Sequence, residues 1–324
     1  MLECLSPGLE TSIQDYPGRL GFLDQGLPPS GPMDSWSFRL ANALVGNHPG
    51  TAALECQYLG PTLRFDADAW IGIAGADMRP TLDDAPIDTW STVHVRSGQV
   101  LKFAAAKSGA RAYLAIAGGM DVPEVMASRA TFHKAAIGGA NGHALKKGQV
   151  LKWAAASTPP TICRIKQAAR PVFSEKVWDV EVVAGPNDDW IDEDGHRRFL
   201  SSDWKLTAKS DRTGFRLEGP EWTFSRKAYD KTPENGSMPS NIIDHGYPLG
   251  AINLAGQTPI ILVHDGPSMG GFINPYTVPS AALWKLGQSR PGDIYRFRAI
   301  SVADAQKFAR EQTSIVGASS LEPL

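Results

Sequence analysis

The sequence predicts a mainly β protein of barrel-like architecture. Three observations point there: turn residues spread along the whole chain, short strand-like runs between them, and an internal echo of turn-and-strand passages. Glycine (32) and proline (24) make up about 17% of the 324 residues, against roughly 12% in ordinary usage, and they are not pooled in a linker. Between them lie runs of strand composition at residues 70–74, 111–117, 180–184, 259–263 and 293–297, each bounded by Gly, Pro, Asn or Asp. Helices are few. Residues 34–45 form the best one: Asp34 is a cap, Trp36, Leu40 and Leu44 share a face, and Gly46 stops it. Residues 301–312 repeat the pattern with Val302, Ala305, Phe308 and Ala309 on one stripe. Weaker helical segments lie at 188–199 and 279–286. Helices this sparse do not make a parallel βαβ sheet, so an antiparallel fold is expected.

The echo sets the domain organisation. Leu59-Gly60-Pro61-Thr62-Leu63-Arg64-Phe65 resembles Leu217-Glu218-Gly219-Pro220-Glu221-Trp222-Thr223-Phe224. Trp90 stands eight residues before Gly98-Gln99-Val100-Leu101-Lys102-Phe103, and Trp284 stands eight before Gly292-Asp293-Ile294-Tyr295-Arg296-Phe297. Gly148-Gln149-Val150-Leu151-Lys152-Trp153 is a further near-copy. Shared spacing favours two related β-lobes, residues 1–160 and 161–324, with the seam near Pro159-Pro160 and some exchange of strands.

Charge and motif content exclude several classes. Thirty-two basic against 34 acidic residues, a net charge of −2, offer no grip on a phosphate backbone. No apolar run approaches the roughly 20 residues of a membrane span, and the first residues lack the pattern of a signal peptide. Three scattered cysteines, Cys4, Cys56 and Cys163, argue against a disulfide framework and a zinc ribbon. The expectation is a cytoplasmic protein without a metal. Gly266-Pro267-Ser268-Met269-Gly270 satisfies G-x-S-x-G, but a nucleophile elbow must pass into a helix, and Gly271, Pro275 and Pro279 oppose one. A glycine loop presenting main-chain N–H groups is the better reading. Asp192-Glu193-Asp194-Gly195 fails the calcium-loop pattern, because its first ligand would be Trp190.

Three polar, glycine-bearing segments remain: residues 26–34, residues 210–220, and a stretch from Pro239-Ser240-Asn241 through Asp244, Tyr247 and Asn253 to Asp265-Gly266-Pro267-Ser268. In a β-barrel protein they read as loops gathered round a polar pocket.

These segments resemble the biotin-dependent carboxyltransferase family, which includes allophanate hydrolase subunit 2, one component of the bacterial 5-oxoprolinase and one half of the carboxyltransferase domain of urea carboxylase. The resemblance runs from Gly8-Leu9-Glu10-Thr11-Ser12 through Pro28-Pro29-Ser30-Gly31-Pro32-Met33-Asp34, Arg39-Leu40-Ala41-Asn42 and Ala53-Leu54-Glu55. It continues through Arg212-Thr213-Gly214-Phe215 to Arg290-Pro291-Gly292-Asp293. The segments Pro239-Ser240-Asn241-Ile242 and Asp265-Gly266-Pro267-Ser268-Met269-Gly270-Gly271-Phe272 are similar to the urea carboxylase branch. His143 stands where the family usually has arginine.

The resemblance implies two cyclophilin-like β-barrel lobes and a carboxyltransferase component, which moves CO2 from carboxybiotin to a nitrogen of urea or a similar small amide or guanidine. No biotinyl-lysine motif and no ATP-grasp loop is found in the sequence. Carboxybiotin is therefore expected on a separate carrier protein, alongside a biotin carboxylase and a companion carboxyltransferase subunit. Asp265 is assigned as the base for the nitrogen, and Arg212 as the holder of a carboxylate or developing anion. Asn241, Tyr247 and Asn253 are assigned to hydrogen-bond the substrate. Gly270 and Gly271 are the main-chain donors to the biotin ureido oxygen, and Ser30 and Ser268 complete the binding set. Two alternatives stay open: a non-catalytic binding subunit of the kinase-inhibitor type, and a component of a 5-oxoprolinase.

Overall fold

The computed structural model describes residues 1–156 and 158–324, which divide into two compact units. One comprises Met1–Leu20, Pro29–Phe173 and Gln312–Leu324, and the other Gly21–Pro28 and Ser174–Glu311. The Pro159-Pro160 pair lies inside the first unit, and short segments of each sequence half belong to the other's unit. Among the described residues the protein is mainly β, as the sequence predicts. Every strand pair described is antiparallel except Val177–Ala184 with Ile294–Ala299.

The first unit stacks a six-stranded sheet on a five-stranded one. Leu2, Cys4, Leu63, Phe65 and Leu101 from the one sheet meet Ile13, Leu54, Ile71, Ile73, Leu114 and Ile116 from the other in a common core. Because side chains alternate along a strand, the intervening residues Ala53, Ala74, Tyr113 and Ala115 face the other way. There they pack with Phe38, Leu40, Ala41 and Leu44 of the helix Ser35–Leu44. The carboxylate of Asp34 caps that helix by accepting from the N–H groups of Trp36 and Ser37, both at 3.0 Å. Gly46 ends it at φ +70°, donating its N–H to Ala43 O.

The second unit closes into a seven-stranded barrel. The ring order is Val177–Ala184, Tyr276–Thr277, Ala251–Ala255, Thr258–Leu262, Gly214–Glu218, Trp204–Leu206 and Ile294–Ala299. Phe199, from the helix Glu193–Ser201, stacks on Phe297 at 4.4 Å and on Tyr276 at 4.5 Å, with Trp222 at 5.0 Å. Asp192 caps this helix through the Gly195 N–H at 2.8 Å. A separate two-stranded antiparallel sheet pairs Asn241–Gly246 with Met269–Phe272, two barrel strands intervening in the chain.

The echo survives only in part. Gly98, Gly148 and Gly292 all take positive φ just before a strand, so the shared turn is real. The tryptophans diverge: Trp90 sits in a turn at φ +63°, whereas Trp284 lies in the helix Leu283–Gln288. The Gly-Pro passages differ too, since Gly60-Pro61 precedes the strand Thr62–Phe65 while Gly219-Pro220 follows the strand Gly214–Glu218. Proline cannot donate to a ladder, so Gly-Pro marks either end of a strand equally well.

Candidate functional site

The barrel register builds the charged part of the site. Gly214 pairs with Leu262, and the two chains stay together past the strand ends. Val263 donates its N–H to Thr213 O at 3.3 Å and Asp265 donates its own to Arg212 O at 2.8 Å. The side chains of Arg212 and Asp265 therefore emerge side by side. Nε of Arg212 donates to Oδ2 of Asp265 at 2.9 Å and Nη2 to Oδ1 at 3.3 Å. Each residue is 5% exposed. The planar guanidinium matches the carboxylate fork to fork, so the two residues assigned separate roles form one buried unit.

The two-stranded sheet brings Asn241 and the glycine loop together. Asn241 pairs with Phe272, His245 with Gly270 and Gly246 with Met269, with a bulge between. Tyr247 follows directly. Its hydroxyl donates to Phe272 O at 2.9 Å and accepts from Phe272 N at 2.7 Å, and burial pushes the phenol's pKa up. The main chain thus takes the donor and one acceptor direction of this hydroxyl, so Tyr247 straps the two strands together.

The two glycines have structural duties of their own. A Cβ on Gly270 would stand 2.8 Å from Tyr247 Cε2, and one on Gly271 would stand 2.9 Å from Ile242 O. Tyr247 N donates to Ser268 O, and ladder alternation then turns the Gly270 N–H towards His245. Gly270→Ala should consequently cost about 1–3 kcal/mol by overpacking. Hydrogen exchange over residues 241–247 should rise with it, and unchanged exchange would show that the ring moves aside freely. Ser268 leads into a strand, not a helix, and its hydroxyl donates to Leu23 O at 3.0 Å. No nucleophile elbow exists here.

Asn253 is different. It lies on the strand Ala251–Ala255 opposite Ile260, on the face that carries Ala251 and Leu262 against Tyr247. It is 3% exposed, yet its Oδ1 has no hydrogen-bond partner. A buried amide oxygen left unsatisfied costs about 1–3 kcal/mol, which marks the position as one where packing alone does not choose asparagine.

Ser30 belongs to the first unit. It is buried, at φ +54°, and its Oγ has no partner. Its segment rests on a polar ladder across the five-stranded sheet. Gly31 N donates to Gln14 Oε1 at 3.0 Å, Met33 N to Glu55 Oε2 at 2.8 Å and Asp34 N to Tyr113 Oη at 2.8 Å. Tyr113 donates in turn to Glu55 at 2.9 Å, with Arg111 Nε 3.6 Å from the same carboxylate. Burial, then the Glu55 charge, holds the Tyr113 phenol well above its ordinary pKa. Elsewhere in this unit, His143 lines a concavity of about 330 Å³ with Asn141, Lys146 and Lys147.

Sequence reasoning missed three residues. Glu55 anchors the segment after Ser30, and only the pairing of Ser12 with Glu55 and of Glu55 with Tyr113 reveals it. Asn274 is fully buried with an unpartnered Oδ1, and its N–H is held by Asn187 Oδ1 at 2.9 Å. In the sequence only the neighbouring Pro275 stood out, as a helix breaker. Lys231, whose ammonium meets three main-chain carbonyls, gave no signal. Among the described residues there is no group of three or more side chains suited to a metal, and no helix is long and apolar enough to cross a membrane.

Known proteins resemble this chain in sequence and in fold. The urea amidolyase of Lachancea kluyveri is 41% identical over 325 residues, covering 97% of this chain and 18% of the relative. A 5-oxoprolinase subunit of Escherichia coli K12 is 31% identical over 316 residues, covering 96% of this chain and 95% of that subunit. The crystal structure of Kluyveromyces lactis urea carboxylase superposes with a TM-score of 0.91 at 39% identity, over 100% of this chain and 30% of that one. The chain therefore spans about a fifth of the length of the urea amidolyase it matches. The family described as carboxyltransferase domain, subdomain A and B, matches residues 25–299, and with 41% identity to a urea amidolyase across nearly its whole length the chain belongs to that family.

Proposed function

We propose that this chain is the carboxyltransferase component of a biotin-dependent carboxylase and acts on a nitrogen of urea or a similar small amide or guanidine. The observation that carries the reading is Asn253, a buried amide with an unsatisfied oxygen. Its strand is bonded to the strand Thr258–Leu262, and Asp265 lies in the turn three residues beyond that strand's end. An asparagine amide offers a donor edge and an acceptor edge, which a planar urea complements. The similarity to urea amidolyases and to a urea carboxylase supports this choice of acceptor.

Carboxybiotin, arriving on a carrier protein, supplies the activated CO2; the other duties fall to this chain. A carboxylate has about four acceptor positions, and Arg212 fills two on Asp265, so two remain for a substrate N–H. Asp265, oriented by Arg212, takes up the proton that the nitrogen sheds. Asn253 orients the planar acceptor; its neighbour Leu254 donates its N–H to Ile273 O at 3.2 Å, and we assign the nearby main chain at Asn241 and Gly271 to border the acceptor. The buried setting strengthens each of these contacts.

A second reading rests on the coverage of the 5-oxoprolinase subunit, which this chain matches over 95% of its length. Reconstitution decides between them. Mixed with a biotin carboxylase, a biotinylated carrier and a companion carboxyltransferase subunit, the chain should transfer labelled bicarbonate to urea, and no transfer should occur when the chain is omitted. ATP-dependent opening of 5-oxoproline instead would establish the second reading. A complete mixture that binds the companion but labels no urea-like acceptor would leave a binding module.

A further inference from the structure

We propose that Lys231 is a positioning residue: its ammonium fills a cage of main-chain carbonyls and so sets the Asn241 edge of the two-stranded sheet. Nζ donates to Asn241 O at 2.8 Å, to Met238 O, and to Asn235 O at 3.5 Å. An ammonium has three donors and no acceptor, and here three carbonyls take all three. The ammonium also lies over Trp190, 5.8 Å from the ring centroid, with the Lys227 ammonium 5.7 Å from the same ring.

The cage is built by the turn that leads into the strand Asn241–Gly246. The 3-10 segment Pro233–Asn235 ends at Gly236, φ +78°, where a Cβ would stand 2.9 Å from Asn241 Nδ2. Asn241 N donates to Met238 O, and Ile243 N donates to Asn235 Oδ1 at 3.1 Å. Three carbonyls pointing at one centre repel each other unless a cation sits between them, and the lysine supplies that cation from within the chain. Burial lowers its pKa from the ordinary lysine value, which fits an ammonium partly stripped of water.

The functional part of this inference rests on the reading of Asn241 as a border of the substrate site; the structural part does not. Hydrogen–deuterium exchange of the full chain tests the latter alone. In Lys231→Ala, the amides of residues 238–246 should exchange at least about tenfold faster, the ratio expected for losing one charge-assisted hydrogen bond. Adding ammonium or methylammonium chloride should restore protection, while sodium chloride at the same ionic strength should not. Lys231→Arg should stay unprotected although it keeps the charge, because a planar fork does not fit a three-carbonyl centre.

In the reconstituted transfer assay the alanine variant should lose kcat far more than it raises KM, with kcat recovering on adding methylammonium. Unchanged exchange in Lys231→Ala, or lost protection that neither amine restores, would overturn the cage. Amine-restored protection with kcat unaffected throughout would overturn only the positioning role, and leave the carboxyltransferase reading intact.

Discussion

Replacing Arg212 by Met should destabilise the protein by about 3–5 kcal/mol, because it strands a buried carboxylate without its partner. The pair is 53 residues apart in sequence, bidentate and 5% exposed on each side, so water cannot take over the guanidinium's role. The double variant Arg212→Met, Asp265→Leu should recover most of that loss, since an apolar pair of similar volume avoids desolvating two charges. Urea-induced unfolding of the two single variants and the double gives the coupling directly. Additive effects, with each single costing under about 1 kcal/mol, would sink the description of the pair as a buried unit. The folded double variant then separates structure from chemistry. Transfer to urea should be abolished in it, and transfer that persists would remove Asp265 from the reaction.

Asn253→Val should split stability from function. Valine suits a strand facing Ile260, and it removes an amide oxygen that is buried without a partner. Stability should therefore hold or rise by up to about 1 kcal/mol, while kcat/KM for urea falls by about a hundredfold, the cost of a buried hydrogen bond to substrate. Thermal unfolding and steady-state transfer on the same preparation check both halves. A variant that unfolds more easily yet transfers normally would show that the amide has a packing role, and the carrying observation for the proposed function would fall with it.

Much of the fold was legible because its signals are local. Asp34 capping, Gly46 stopping and the apolar stripe between them gave the helix Ser35–Leu44 to within a residue at either end. Gly98, Gly148 and Gly292 marked positive-φ turns before strands for the same reason, a dihedral that few other residues adopt. The Leu59 and Leu217 passages misled because Gly-Pro states that a strand ends without saying which end. For the site, the residue types of Arg212, Asp265, Asn241 and Asn253 were legible and their relations were not. Tyr247 and Asn253 look equally polar in the sequence, yet the hydroxyl of the first is bonded twice to Phe272 while the second has its oxygen unpartnered.

By itself the sequence determined a β-rich chain with glycine-set turns, few helices and a family resemblance carried by motifs, because each of these depends on residues within a few positions of one another. Tertiary structure alone decided that the barrel of the second unit takes in one parallel strand pair, that Arg212 reaches Asp265, that Lys231 is caged and that the Asn253 oxygen goes unpartnered. Each of these depends on strand register or chain return over longer distances, where one residue of slip turns every side chain to the opposite face.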